Sequence, residues 1–393
     1  MISVGIDVSK GKSTVCIMKP CGEILESPFD TADELDSLIS LIKSFDEETR
    51  VVMEDTGHYH LPVATYLSSH NIFVCCVNAL RMKKFCSQSI RRAKTDKIDS
   101  IKIASFGITY WNELVKAYPS NVIYDELKFL ARQYYQVTGM LVKSKVNFSN
   151  LLDQVMPKIN DVLSNQGENH KLTEFVSRYI HFQNILDMGE MKFTSDYCKW
   201  AKKKGYRLNE RKAAEILALA QNGIPTLPNS QSVKIAVSEA VKLIHSIEES
   251  RNTILAQMQD LCNTLPEYSV VKEMDCIGDT LAPRIIAEIG DVRRFKNKHS
   301  LIAYAGIDAP PYQSGAFHAS ERHISKRGNS YLRKTGYEIM QSLIKHKPAD
   351  NAVYDFIQKK RSEGKCGKEA MIAGLNKFLR VYYGKVMEFY SEH

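Results

Sequence analysis

Four acids stand where carboxylates can do chemistry. Asp7 lies near the end of the run ISVGIDVS and Glu54 ends RVVME, while Asp96 and Asp99 sit three apart in KTDKIDS, residues 94–100. Residues three apart on a helix share a face, roughly 5–6 Å from each other. In an α/β sheet, ligand sites form where strands end and helices begin. Four carboxylates brought together repel unless a divalent cation sits among them. Mg²⁺ takes oxygen ligands and keeps water, and two such ions about 4 Å apart can clamp the attacking and leaving oxygens of a phosphodiester exchange. Each acid also has a plain structural reading: Asp7 as a turn residue, Glu54 as a solvated strand end, Asp96 and Asp99 as a capping box with Asp96 at the N-cap. The run before them favours chemistry. Arg81, Lys83, Lys84, Arg91, Arg92 and Lys94 come with no acid between Arg81 and Lys94, and such cations would hold the rest of a polyanion. His58 and His60 read as packed or phosphate-contacting residues rather than metal ligands.

A second constellation lies in the last third of the chain. Ser314 precedes a glycine in YQSG, within a region carrying Arg322, Lys326, Arg327, Arg333 and Lys334. A Ser-Gly pair is by itself a turn, and no nucleophile elbow surrounds it. HISKRGNSYLRK reads as a basic loop entering a helix, suited to phosphate contacts from side chains and the helix N-terminus. CIGDTLAPRI reads as a hairpin between helices whose backbone N–H groups can grip a phosphate.

The elements that must position these residues follow from the apolar pattern. ISVGIDVS, STVCIMKP and EILESPF read as three strands, with a helix from Thr31 through LDSLISLIKSF. The strand RVVME, the helix LPVATYLSSH and the buried strand NIFVCCVN come next. Three antiparallel-capable strands followed by alternating helix and strand is the order of a ribonuclease-H-like (RuvC-like) domain, expected over residues 1–115. A central helical region, 116–266, follows. Leu127, Leu130, Tyr134, Val137, Leu141, Ser144, Phe148, Leu151 and Val155 keep strict 3-4 spacing. Val237, Ala240, Ile244, Ile247, Arg251, Ile254, Met258, Leu261 and Leu265 do the same. These are coiled-coil seams ended by Pro157 and Pro266, able to pair as an antiparallel hairpin or to join subunits, or plain core helices. Residues 158–230 form an insertion between them. Residues 267–393 read as a compact, mainly helical domain, giving α/β plus α overall.

Composition sets the outer limits. A chain of 393 residues, 44% hydrophobic and 25% charged, is a globular protein of two or three domains. No apolar run reaches the ~18 residues of a membrane span, so no membrane partner is expected. Nine cysteines form no CxxC pair, which suits reduced thiols in a cytoplasmic protein. A net charge of +8 permits a nucleic-acid partner without demanding one.

Together, GIDVSK, VVMEDTGHYH and KTDKIDS at the front, and AEIGDVRRF, LIAYAGI, QSG and ISKRGNSYLRK at the back, resemble one family. It is the bacterial insertion-sequence transposases with a RuvC-like DEDD domain, the IS one-ten group with its eleven-eleven branch, to which Piv-like invertases are related. The resemblance places the acidic tetrad on Asp7, Glu54, Asp96 and Asp99, and the catalytic serine on Ser314. It implies a DNA recombinase that holds Mg²⁺ in its front domain and forms a phosphoserine link to cleaved donor or target DNA. It further implies a structured noncoding guide RNA, the bridge RNA, and homodimers assembling into homotetramers. One departure stands out: the family often has a Pro-Gly-hydrophobic-Gly hairpin where this chain reads Asp275-Cys276-Ile277-Gly278. Rival readings are a RuvC-type hydrolase that cuts DNA or a junction with water, a site-specific DNA invertase, a sugar-kinase-like ATPase and a non-catalytic nucleic-acid scaffold. The ATPase would need a second glycine-rich phosphate loop, which the sequence lacks.

Overall fold

The computed structural model describes every residue except 32–34, 56, 58, 88–94, 118–121, 166–169, 208, 311–312, 315–316, 319–322 and 393, and within 311–322 it describes backbone alone. His58, Arg91, Arg92, Lys94 and Arg322 therefore lie outside the described residues, as does the side chain of Ser314. The chain divides into two compact units, Met1–Asn121 and Val122–His393.

The first unit is a mixed α/β domain. Its strands are β1 (Ile2–Ser9), β2 (Lys12–Met18), β3 (Ile24–Thr31), β4 (Thr49–Asp55) and β5 (Phe73–Asn78). Its helices are α1 (Asp36–Lys43), α2 (His60–Ser69), α3 (Ala79–Cys86) and α4 (Asp96–Thr109). The sheet order is β3-β2-β1-β4-β5. β1, β2 and β3 are antiparallel neighbours, while β4 runs parallel to β1 and β5 parallel to β4. This order is consistent with a RuvC-like fold. Alternation along the strands splits the side chains between two faces. Val4, Ile6, Val15, Val51 and Met53 pack with Leu38, Ile39 and Leu67 of α1 and α2. Val52, Cys75 and Val77 pack with Met82, Ile103 and Phe106 of α3 and α4.

Two local expectations are corrected. Thr31 ends β3 rather than opening a helix, and α1 begins at Asp36. The N-cap of α4 is Thr95, not Asp96. Thr95 is extended, and its Oγ1 accepts from the Ile98 N–H at 3.2 Å. A threonine was available one residue earlier, so Asp96 and Asp99 fall inside the first turn with no capping duty. There their charges also suit the positive end of the helix.

The second unit is helical. It comprises α5 (Val122–Val155), the short α6 (Ile159–Val162), α7 (Lys171–Tyr179), α8 (Phe182–Met188), α9 (Glu190–Lys203), α10 (Glu210–Asn222), α11 (Gln231–Asn263), α12 (Tyr268–Lys272), α13 (Gly278–Ile289) and α14 (Lys298–Ala305). Two paired dipeptide strands follow, β6 (Gln313–Ser314) and β7 (Phe317–His318), then α15 (Ser330–His346), α16 (Ala352–Ser362) and α17 (Gly367–Glu392). The two heptad runs form α5 and α11, which pack on each other. Leu127, Tyr134, Leu141, Phe148 and Val155, seven apart, are all buried in α5. The pair is antiparallel and serves two cores. The start of α5 and the end of α11 pack with α12–α17. The other halves enclose an aromatic cluster from 158–230, including Phe175, Phe193, Tyr197 and Trp200. No helix among the described residues is long and apolar enough to cross a membrane.

Candidate active site

Pairing and packing bring the four acids to one end of the first unit's sheet. Ile6 pairs with Met53 across β1 and β4, and one step further along the same strands come Asp7 and Glu54. Ile6 and Met53 belong to the α1–α2 face, so Asp7 and Glu54 project to the opposite face, the one α4 covers. How α4 lies on that face is fixed by close approach. A Cβ on Gly5 would meet the backbone of Ala104 at 2.3 Å and of Ser100 at 2.4 Å, and a Cβ on Gly107 would strike the Ser3 side chain. Position 107 thus sits over position 3 and positions 100 and 104 over position 5. The helix runs against the strand direction, and its first turn, with Asp96 and Asp99, arrives beside Asp7.

Electrostatics agree. Burial pushes the Cys86 thiol up, Lys102 opposes this, and both Asp99 and Glu54 add to it. One thiol therefore feels acids from α4 and β4. The Lys12 ammonium is raised first by its hydrogen bond and charge attraction to Asp30 and, more weakly, by Asp96. Lys12 is the first residue of β2, paired with Ser9, two residues past Asp7 along β1.

A fifth acid, Asp30, lies in the same cross-strand row and was not singled out from the sequence. Asp7 pairs with Thr14, and Thr14 pairs with Asp30. The Thr14 hydroxyl donates to Asp30 at 2.8 Å, and Lys12 bridges to it at 2.9 Å. These bonds hold the Asp30 carboxyl below the usual range. The signal that would have found it is strand register, which a single sequence does not carry. The four predicted donors are all carboxylates, with oxygen as the donor atom, and among the described residues the half-buried Asp99 has a long ion pair, to Lys102 at 3.4 Å. That donor chemistry fits Mg²⁺. His60 is buried, with Nε2 3.5 Å from Asp55, a packed residue at the start of α2.

The predicted cations have distinct placements. Lys83 and Lys84 are exposed on the last turn of α3. Arg81 pairs with Glu113 and lies over the Tyr110 ring. In the second unit, Lys326 and Arg327 are exposed. Arg333 instead donates to the carbonyls of Ala305 at 2.9 Å and Gly328 at 3.0 Å, and Lys334 lies 5.0 Å from the Tyr135 ring.

Ser314 belongs to a chain segment with a closed neck. Ser325 N–H donates to the Asp308 carbonyl, Lys326 N–H to Gly306 and Asn329 N–H to Tyr304. Gly306 and Gly328 cross so closely that a Cβ on Gly328 would lie 2.1 Å from the Tyr304 carbonyl. Asn329 caps α15 through Oδ1, and its Nδ2 donates at 2.8 Å to the buried Glu288, which also pairs with Arg132. Beyond the neck, Ser314 pairs with Phe317 in the β6–β7 ladder. The residues at the neck, Ile307, Ala309, His323 and Ile324, form one wall of a cleft of about 1250 Å³. Across it, α17 and the turn before it present Lys365, Lys368, Lys377 and Arg380, with Lys326 alongside and Glu369 as the acid on the wall. Sequence reasoning named only Lys326 here. The other cations are spread through a helix whose composition looks ordinary, and only folding gathers them.

Among the described residues, the group of three or more side chains whose donor atoms lie within 4.8 Å of one another is His170, His245 and Glu248, in the second unit; the four acids share a sheet end without reaching that spacing. None of the three stood out in the sequence.

Comparison with known proteins gives matches at both ends of the chain. A transposase family model of the DEDD IS110 type matches residues 4–157, and a model of the IS116/IS110/IS902 transposase family matches 268–355. An uncharacterized 44.8 kDa protein of insertion element IS116 from Streptomyces clavuligerus is 22% identical over 377 residues, covering 95% of this chain and 91% of the relative. An uncharacterized 43.6 kDa protein of insertion element IS110 from Streptomyces coelicolor is 22% identical over 299 residues, 76% of this chain and 72% of the relative. A pilin gene-inverting protein of Moraxella bovis is 26% identical over 136 residues, 34% of this chain and 42% of the relative.

Proposed function

Since the chain is a transposase of the IS110/IS116 family with a RuvC-like front domain, an enzyme of DNA strand cleavage, we propose that it cuts DNA by metal-assisted phosphoryl transfer at Asp7, Glu54, Asp96 and Asp99. The observation that carries this reading is the arrival of β1, β4 and the first turn of α4 at one sheet end. A Mg²⁺ ion bound there would supply charge stabilisation to the phosphoryl oxygens of the scissile bond. Asp7 and Glu54 offer carboxylates from adjacent parallel strands. Asp96 and Asp99 offer them from a capped helix start, so the donor set is held by rigid elements. The exposed Lys83 and Lys84 hold flanking phosphates.

The attacking group divides two forms of this proposal. Attack by water, as in a RuvC-type endonuclease, needs nothing outside the first unit, and the assembled acids support it directly. The second form has Ser314 attack. Its Oγ bonds to phosphorus, the bond from phosphorus to a DNA sugar oxygen breaks, and the proton lost by the serine ends on that departing oxygen, so that bond energy is retained for rejoining. What supports this form is the basic cleft beside the neck of the Ser314 segment, fit to hold a polyanion near the serine. Pairing of donor and target DNA by a structured guide RNA, and assembly as dimers and tetramers, belong to this second form. Site-specific inversion is a variant outcome that the Moraxella relative favours.

Incubating the full chain and Mg²⁺ with end-labelled DNA carrying the element's own termini, then running a denaturing gel, separates these forms. Wild type should cut and Asp7→Asn should not; cutting by Asp7→Asn would end the metal-site proposal. If Ser314→Ala still releases free ends, water attacks. If wild type gives a protein-linked strand that Ser314→Ala lacks, the serine does.

A further inference from the structure

We propose that His170, His245 and Glu248 form a zinc site that clips the helices of residues 158–230 to the long helix pair. His245 and Glu248 are three apart on α11 and so share a face, while His170 is the N-cap residue of α7. Glu248 Oε2 lies 3.4 Å from His170 Nδ1 and 4.0 Å from His245 Nδ1, and the three donor atoms all lie within 4.8 Å of one another. Two donors on a tetrahedral ion with bonds of about 2.0 Å are separated by roughly 3.3 Å, so a small inward shift of the imidazoles completes the set.

Two further observations point to a ligand. Glu248 Oε2 and His170 Nδ1 are both buried atoms without a hydrogen-bond partner among the described residues, although they face each other. Buried polar atoms without partners are costly, and a cation between these two would satisfy both. The other Glu248 oxygen, Oε1, is already engaged by Lys145 of α5 at 2.7 Å. That bond orients the carboxylate and leaves one oxygen for a metal, the pattern of an outer-shell partner. The Lys145 contact also extends the clip to α5. Two imidazoles and one carboxylate suit zinc, with the fourth position left to water. Mg²⁺, which prefers oxygen and demands octahedral geometry, does not fit. The side chains of His170, His245 and Glu248 are 35%, 38% and 12% exposed, so the imidazole rims face solvent while the donor atoms Glu248 Oε2 and His170 Nδ1 turn inward.

The test titrates Zn²⁺ into the metal-stripped full chain against a chromophoric chelator, in 5 mM Mg²⁺ as an order-of-magnitude excess that saturates oxygen-only sites. Wild type, His170→Ala, His245→Ala and Glu248→Gln are compared with His346→Ala, a histidine on α15 remote in sequence from the cluster. Wild type and His346→Ala should hold one Zn²⁺ equivalent that Mg²⁺ does not displace. Each of the three cluster variants should bind it at least tenfold more weakly. Zn²⁺ should also raise the melting temperature of wild type and not of His245→Ala, as binding to the folded state requires. Superimposable titrations of wild type and His245→Ala, or displacement of the zinc by Mg²⁺, overturn the site. Should His245→Ala fail to fold, Glu248→Gln, which keeps the side-chain shape, carries the same comparison.

Discussion

The two metal-type clusters are built in opposite ways. The acids of the first unit come from positions 7, 54, 96 and 99, and strand register and a helix crossing carry them to one end of the sheet. The histidine cluster takes two donors from one turn of α11 and a third from the end of α7. One site is all oxygen, rests on a sheet and sits at a helix start. The other mixes nitrogen with oxygen, rests on a helix face and braces an insertion. The contrast teaches that donor type and support go together. Hard oxygens on a rigid sheet suit a labile ion that must handle phosphate. Imidazoles between helices suit an ion that stays.

The largest predicted effect separates the clusters by function. Asp7→Asn or Glu54→Gln should lower DNA cleavage by about 10²–10³-fold, as the loss of a group that stabilises transition-state charge does. His245→Ala should leave the rate within about threefold of wild type; an equal loss in both would erase the distinction. Next comes Gly5→Ala, whose methyl has to displace α4 backbone. Overpacking of this kind costs roughly 1–3 kcal/mol, so chemical denaturation should show a lower midpoint, and cleavage should fall with it. A normal midpoint and rate would mean that α4 does not fix the acids. Thr95→Ala removes the cap of the helix start that carries Asp96 and Asp99 and should cost about 1 kcal/mol, read as a reduced unfolding free energy. The smallest effect is expected for His245→Ala in metal-stripped protein. A partly exposed side chain away from packed cores changes stability by less than about 0.5 kcal/mol, and a larger loss would mean that the cluster is a packing contact first.

Much of the first unit was legible because strands announce themselves by period-2 alternation. The α5–α11 pair was legible because a heptad repeat survives over four heptads of sequence. What stayed hidden depended on which elements touch. Asp30 joins the acid row only through its register with Thr14. Lys365, Lys368, Lys377 and Arg380 gather only when α17 faces the neck of the Ser314 segment. Arg333, read from sequence as a phosphate contact, directs its guanidinium to two backbone carbonyls, because the crossing of Gly306 and Gly328 leaves those carbonyls to be satisfied. The capping reading of KTDKIDS failed by one residue, since Thr95 and Asp96 are both good caps and local geometry chose the threonine. In the turn between α12 and α13, Cys276 adopts a positive φ of 65°, a backbone conformation that favours glycine.

The closed neck at Asp308 and Ser325 fixes the root of the segment that carries Ser314. Six peptide units separate Ser314 from Asp308, so whatever path the chain takes, the serine stays within roughly 20 Å of that root. On the proposal that a DNA strand sits in the basic cleft, that strand starts inside this radius, because Ile307, Ala309 and Ile324 beside the root line the cleft. The radius therefore serves as a ruler. Under the serine form of the proposal, it would select which phosphates along a bound strand the hydroxyl can reach, before any base is read.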